Sequence, residues 1–580
     1  MARTVGIGYQ NFEKVIENQV FYIDKTEFIR EWWENRDEVT LITRPRRFGK
    51  TLNMSMLECF FSVKYADKGN LFEQLSIYKN EEYRRLQGTY PVISLSFANV
   101  KEKNYVQAKQ RICQLITDIY NKNHFLLHSG ILTEEEQQYY RSVCMDMPEV
   151  IATISLHRMS DFLSRYYGKK VIILLDEYDT PMHSLLAEPE ALRSSPNSGE
   201  LPVFNGGTEF TSFIRSLFNA TFKTNPFLER ALMTGITRIS KESVFSDLNN
   251  LKVVTTTSFE YATAFGFTEK EVFSALKEYQ MLDRKKDVKY WYDGFTFGET
   301  EDIYNPWSVI NFLDTGKLNA YWANTSSNSL VGKLLREGSR KIKETFELLL
   351  QGGHLCTSID EQIVYNQLEQ EEKAIWSLLL ASGYLKVVSH KDYDSGYADD
   401  FVPEYELALT NHEVRLMFRQ MVQGWFGSVD SDYNDFIKAL LIGDIKAMNA
   451  YMNRVAVQTF SYFDTGKNPS VTEPERFYHG FVLGLIVDLS GRYAVTSNRE
   501  SGFGRYDVML EPLKPGDDAI ILEFKVQDET EEADLKETVE AALKQIAEKR
   551  YEEVLLAKGI SREKIRKYGF AFAGKRVLIG

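Results

Sequence analysis

The 580 residues are too many for one hydrophobic core, and at roughly 100–200 residues per domain three or four domains are expected. Hydrophobic residues make up 43% and charged residues 26%, an ordinary globular balance, and the net charge of −13 counts against a protein that coats nucleic acid while leaving room for an enzyme with a local basic groove. The four cysteines (Cys59, Cys113, Cys144, Cys356) form no CxxC pair and the eight histidines no HExxH, which argues against a zinc site and a disulfide framework.

Along the chain, Met-Ala-Arg-Thr-Val-Gly lacks the apolar stretch of a signal peptide. The longest apolar runs, such as Val171–Leu175 and Ile520–Leu522, are too short to span a bilayer. The expectation is a cytoplasmic protein with no membrane partner. Residues 1–268 alternate strand-like and helical segments, the pattern of a parallel α/β domain, with strands expected at Val39–Thr43, Tyr90–Ser96, Val171–Asp176, Arg230–Thr234 and Leu251–Thr255. Ala187–Gly207 reads as a long surface loop. Residues 269–368 read as a mostly helical linker or lid, interrupted by two aromatic clusters, Tyr290–Phe295 and Tyr304-Asn-Pro-Trp307. Residues 369–468 hold an apolar helix (Ala374–Ser382), Gly383-Tyr384-Leu385, and a ribbon around a polar loop at His390–Asp400. That order fits a winged-helix module; a structural linker packed on the first domain fits equally. Residues 469–580 read as a separate domain: helix Glu475–Leu489, strands Tyr493–Ser497, Arg505–Leu510 and Ala519–Val526, helix Glu531–Arg550 and a late strand near Tyr568–Ala573.

The first chemistry-bearing motif follows Val39–Thr43. The segment Arg44-Pro-Arg-Arg-Phe-Gly-Lys-Thr51 leads into a helix, the strand–loop–helix context of a P-loop. Loop amides and the helix N-terminus would cradle phosphates, Lys50 would reach the β- and γ-phosphates, and Thr51 would ligate Mg²⁺. Arg46, Arg47 and Gly49 complete the nucleotide-binding loop, and its three arginines suit a triphosphate. Arg44 stands where GxxxxGK[ST] has its first Gly, which puts the loop shape in question. Lys170–Leu175 then ends in Asp176-Glu177-Tyr178-Asp179, as a Walker B strand does. Asp176 would hold Mg²⁺ and Glu177 would polarise the attacking water. In a third strand, Thr234, Thr237 or Arg238 is placed to sense the γ-phosphate, a satisfied polar strand end being the alternative.

The second motif is Asp507…Glu523-x-Lys525. Residues two apart on a strand face one side, so Glu523 and Lys525 project together, and a neighbouring strand would bring in Asp507. Two carboxylates make a hard oxygen site for Mg²⁺ or Mn²⁺, and the ammonium would orient water or stabilise a phosphoryl transition state. The apolar residues around Glu523 mark a central strand, where a buried Glu and Lys carry a folding cost. Glu475 is a candidate third carboxylate, with His479 one turn on, and Gln545 would face the site or a nucleic-acid backbone; for each, a packing role stays open. Residues 471–550 carry a net charge of −7 and residues 551–580 +4, which points any nucleic-acid contact to the C-terminal end.

The sequence resembles a bacterial family that joins an AAA-ATPase-like domain to a PD-(D/E)XK nuclease-superfamily domain. The resemblance covers nearly the whole chain. It rests on Phe21-Tyr-Ile-Asp-Lys-Thr26, Arg44–Thr51, Asp176–Asp179, Thr234–Ser240 with Leu248-Asn-Asn-Leu251, Tyr304-Asn-Pro306, Phe477–Phe481 and Asp507…Glu523-x-Lys525. Arg44 in place of Gly is typical of that family. The resemblance implies an α/β chain with a P-loop NTPase sheet first and a restriction-endonuclease-like fold last. It further implies ATP with Mg²⁺ in the first and nucleic acid, DNA before RNA, as the partner of the last. An ATP-controlled nuclease is the leading expectation. A signalling or scaffold ATPase whose nuclease-like domain only binds nucleic acid, or a protein partner, is the alternative.

Overall fold

The apolar run Val39–Thr43 forms β1, buried along its whole length. With β2 (Val92–Ser96), β3 (Val171–Asp176), β4 (Leu228–Gly235) and β5 (Leu251–Val254) it makes a five-stranded sheet in the order β2-β3-β4-β1-β5. Every pairing is parallel. A parallel sheet must be covered on its faces, so its strands read as continuous apolar runs. On one face Val39, Leu41, Ile173, Leu175 and Met233 pack against Ile112, Phe162, Phe213 and Leu217 of the helices Tyr105–Lys122, Glu149–Tyr167 and Asn205–Phe222. The structure, a computed structural model, describes residues 2–102, 104–186, 205–237, 244–245, 247–325, 331–332, 334–335, 339–360, 371–391, 402–425, 433–459, 482–483, 485–486, 489, 492–501, 504–514, 517–528 and 531–580. Most of the expected loop Ala187–Gly207 falls outside them.

The region read as mostly helical also contains strands. The helices Glu269–Glu278, Lys285–Tyr292 and Pro306–Thr315 share a core of Val272, Leu276, Val288, Tyr292, Val309 and Phe312. Between them β6 (Phe267–Thr268), β7 (Phe295–Phe297) and β8 (Thr300–Tyr304) form an antiparallel sheet in the order β6-β8-β7. The aromatic clusters thus supply strand ends. Gly294 (φ 106°) starts the β7–β8 hairpin, where a Cβ would lie 2.2 Å from the Thr410 carbonyl oxygen. A second small sheet, in the order β10-β11-β9, holds β9 (Leu355–Thr357), β10 (Leu385–Lys391) and β11 (Glu404–Leu409). The expected helix, Gly-Tyr and ribbon are present, with β9 as a strand the sequence did not reveal; residues 392–400 of the ribbon tip are outside the described residues.

These elements belong to one compact unit, residues 1–334 and 354–416; residues 335–353 and 417–580 form another. In the second, β12 (Tyr493–Ser501), β13 (Gly504–Pro512), β14 (Ala519–Val526), β15 (Ile565–Ala573) and β16 (Arg576–Ile579) are neighbours in that order. Only the β14–β15 pairing is parallel. Alternation splits the side chains between two cores. Leu510, Leu522, Phe524 and Phe570 pack with Met448, Tyr451 and Val455 of the helix Ile445–Thr459. Met509, Ala519 and Ile521 pack with Ile546 of the helix Leu535–Glu548, and with Tyr551 and Leu555. Of the expected helix Glu475–Leu489, residues 475–481 are outside the described residues, and Val482, Leu483, Leu485, Ile486 and Leu489 are buried. Among the described residues no helix is long and apolar enough to cross a membrane.

Candidate functional site

The P-loop candidate sits where β1 ends. Gly49, at φ 85°, precedes the helix Lys50–Phe61, so the turn needs a residue at home in the left-handed region. Lys50 is buried, and its ammonium donates to the Arg44 and Pro45 carbonyl oxygens, 2.8 Å each. Burial pulls its pKa below the ordinary lysine value, opposed by the charges of Glu177, Asp179 and Asp176. Arg46 and Arg47 are exposed, and the Arg47 guanidinium lies 4.4 Å over the Trp307 ring.

Arg44 does not join them. Its side chain is fully buried and donates to the carbonyls of Thr43 (2.9 Å), Thr255 (2.6 Å) and Glu260 (3.2 Å), with Phe297 4.4 Å away. Burial lowers its pKa to about 9 against the pull of Glu31 and Glu260. The loop therefore exposes two arginines, Arg46 and Arg47, not three. The Arg44 guanidinium instead fastens the loop to the end of β5.

Strand order explains how the acids arrive. Because β4 lies between β1 and β3, Thr234 of β4 comes between the P-loop and Asp176. Asp176 Oδ2 accepts from the Thr51 hydroxyl (2.7 Å) and Oδ1 from the Thr234 hydroxyl (2.5 Å). Glu177 has φ 52°, an uncommon conformation for a non-glycine residue, and its Oε2 accepts from the Thr180 hydroxyl at 3.0 Å. Thr237 turns to Asp179, which accepts from the amides of Ile236 (2.8 Å) and Thr237 (3.0 Å) and contacts His183 at 3.1 Å. Burial alone would raise the Asp179 carboxyl; His183 and the two amides hold it below its ordinary value instead. Asp179 as the anchor of the Thr237 turn had no signal in the sequence beyond its nearness to Asp176. Arg238 lies outside the described residues.

The second site is built on β13 and β14. Val508 pairs with Leu522, so Asp507 and Glu523 stand opposite each other one step further on, on the face toward the helix Leu535–Glu548. The Asp507 amide donates to Glu523 Oε2 at 3.4 Å, and the Phe524 amide to Asp507 Oδ2 at 2.8 Å. Glu523 is 2% exposed. Gln545 donates to Glu523 Oε1 and, at 3.2 Å, to the Tyr551 hydroxyl. Burial pushes the Asp507 carboxyl up to about 6, although the Phe524 amide and the Lys525 charge favour its ionised form. Burial raises the Tyr551 phenol too, and Glu523 and Asp507 add to the rise against the Gln545 hydrogen bond. Lys525, half-buried, pairs across to Ala571 of β15. The structure therefore brings Asp507, Glu523, Lys525 and Gln545 to one place and adds Tyr551, which carried no signal in the sequence. Glu475 and His479 lie outside the described residues. At the basic C-terminal end, Lys558 pairs with Glu511, Arg562 and Lys567 with Glu552, and Arg566 with Asp518. Much of that local charge is therefore neutralised within the fold.

Residues 6–245 match a family model described as "Predicted AAA-ATPase", and residues 473–580 one described as "PD-(D/E)XK nuclease superfamily". The chain is also similar to the "Uncharacterized protein in vnfD 5'region" of Azotobacter chroococcum mcd 1, with 25% identity over 411 residues, 70% of this chain and 68% of that protein.

Proposed function

We propose that this chain, which joins an AAA-ATPase-like domain to a PD-(D/E)XK nuclease-superfamily domain, hydrolyses ATP in the first and cleaves phosphodiester bonds of nucleic acid, DNA before RNA, in the second, with ATP controlling cleavage. The observation that carries this reading is that Glu523 and Lys525 interrupt the otherwise apolar strand β14 and that β13 pairs Asp507 opposite Glu523. Facing carboxylates in a core are costly unless a cation or proton relieves them. The donor set is all oxygen, which suits Mg²⁺ or Mn²⁺.

Asp507 and Glu523 would hold the ion. A divalent cation bound there supplies an activated water and charge stabilisation for the phosphoryl group. Gln545 fixes the Glu523 carboxylate through one oxygen, and Tyr551 fixes Gln545, so the outer partners set the ligand's orientation. Lys525 would offset the negative charge that gathers on a pentacoordinate phosphorus in the transition state. In the ATPase, Lys50 would leave the loop carbonyls for the β- and γ-phosphates. Thr51 and Asp176, already hydrogen-bonded, would share the Mg²⁺ of the nucleotide. Glu177 would accept the proton of the attacking water, and its hydrogen bond to Thr180 keeps the carboxylate placed.

The test is a cleavage assay on plasmid, linear duplex, single-stranded DNA and RNA, with Mg²⁺ or Mn²⁺, with and without ATP. Metal-dependent cleavage of at least one substrate, at a rate that ATP changes, is expected. A protein that binds nucleic acid and turns over ATP but cleaves nothing with either metal would instead be a scaffold ATPase with a binding module.

A further inference from the structure

The two aromatic clusters of the sequence flank a group of carboxylates that neither proposed activity uses. β6 pairs antiparallel with β8 through Thr268 and Ile303, which puts Glu269, the first residue of the helix that follows β6, beside Asp302 of β8. β7 pairs with β8 through Phe295 and Ile303, and Asp293 lies just before β7 at the end of the helix Lys285–Tyr292. Backbone pairing thus forces three acids from three segments together. One oxygen from each of Glu269, Asp293 and Asp302 lies within 4.8 Å of the other two. Oxygens that share a Mg²⁺ or Ca²⁺ at roughly 2.0–2.6 Å stand at most about 4–5 Å apart.

Two buried polar atoms of the group are left without a hydrogen bond. Asp293 is 7% exposed and its Oδ1 has no hydrogen bond. Tyr304 is fully buried, and its hydroxyl, which faces Glu269, Asp293 and Asp302, makes no hydrogen bond of normal geometry. Lys289 is the cation at the rim, 2.5 Å from Glu269, 3.1 Å from Asp302 and 3.7 Å from Asp293. It leaves the three carboxylates two charges short of neutrality, and its side chain is 45% exposed, free to lean outward. Lys386 also favours the ionised form of Asp302.

We propose that Glu269, Asp293 and Asp302 form a site for one hard divalent cation, of the Mg²⁺ and Ca²⁺ class, floored by the Tyr304 hydroxyl, which ties β8 to the ends of the two flanking helices. The inference depends on neither proposed activity.

The probe is Mn²⁺, counted by the loss of its free electron-spin-resonance signal on titration into the nucleotide-free full chain. An Asp507→Asn, Glu523→Gln background removes the other carboxylate pair. In that background one bound Mn²⁺ is expected, displaced by Mg²⁺ or Ca²⁺, whichever is the better fit. Adding Asp293→Asn and Asp302→Asn should abolish it. Lys289→Met, which removes the competing ammonium, should tighten it roughly tenfold. The same Mn²⁺ count with and without the two Asn substitutions would overturn the site. So would Lys289→Met that leaves affinity unchanged or weakens it, since the ammonium would then be the structural partner of the three acids. If the Asn variant fails to fold, the Lys289→Met titration decides alone.

Discussion

β3 and β14 are both apolar strands that carry an acid, Asp176 at the end of one and Glu523 within the other, yet the two acids sit in different electrostatic surroundings. At the end of β3, Asp176 is met by two hydroxyl donors, Thr51 at 2.7 Å and Thr234 at 2.5 Å. Within β14, Glu523 accepts from the amide of Asp507 across the pair, and burial pushes the Asp507 carboxyl up to about 6. Strand order produces the contrast. In the parallel sheet, β4 brings a threonine to the acid. In the mixed sheet, β13 brings a second acid, and the Phe524 amide, the Gln545 amide and the Lys525 charge partly offset the pair. A donor-satisfied carboxylate is stable without an ion and suits an ion that arrives with a nucleotide. A buried acid pair is relieved by a proton or by a cation of its own.

The proton-transfer step of the first site gives the largest effect. Glu177→Gln should keep ATP binding and slow turnover by roughly 10²–10⁴-fold, read by phosphate release. Unchanged turnover would move the base elsewhere. Lys525→Ala should leave Mn²⁺ binding at Asp507 and Glu523 intact and cut nucleic-acid cleavage by roughly 10²–10³-fold. Loss of metal instead would make Lys525 a partner of the ground state. Lys50→Ala should weaken ATP binding at least roughly 30-fold, measured by calorimetry, because a buried charge partner of the phosphates is lost. Equal affinity in wild type and variant would sink the P-loop assignment. Gln545→Ala, which frees one Glu523 oxygen, should cost roughly 10–100-fold in metal affinity with ATP binding untouched.

The smallest effect is on stability. The folded Asp507 carboxyl sits at about 6, above the roughly 3.9 of an unfolded chain. A raised acid favours the folded state while protonated and costs stability once ionised. The metal-free protein should therefore lose up to about 2 kcal/mol from this group as pH rises from 4 through 6. Asp507→Asn should lack that loss in melting curves, and Mn²⁺ affinity in the wild type should rise over the same interval. A wild-type profile no different from that of Asp507→Asn would mean the acid pair is already relieved within the protein.

The features legible in the sequence were those fixed by neighbours along the chain. Val39–Thr43 with Lys50 and Thr51, Val171–Asp176, and the Glu523-x-Lys525 spacing each carry their own context, and the five strands of the first sheet are all present. Tyr90–Ser96, whose end alternates polar and apolar residues, still forms the edge strand β2 from Val92. Features set by distant pairing were hidden. Arg44 looked like phosphate-binding charge because nothing local shows that the carbonyls of Thr255 and Glu260 are waiting for it. The β6-β8-β7 sheet was lost in a helical pattern because its strands are two to five residues long. The acids Glu269, Asp293 and Asp302 meet only through that sheet, so their spacing in the chain gave no metal signature.

The central claim, that the Asp507–Glu523 pair is the cleavage site and is chemically separate from the ATPase, is tested most directly by one variant. Asp507→Asn, Glu523→Gln keeps the shape of both side chains and removes both charges. Assayed with Mg²⁺ or Mn²⁺ and ATP on the substrate that the wild type cuts, it should hydrolyse ATP at the wild-type rate and show no cleavage above background. Cleavage at the wild-type rate by this variant would contradict the account.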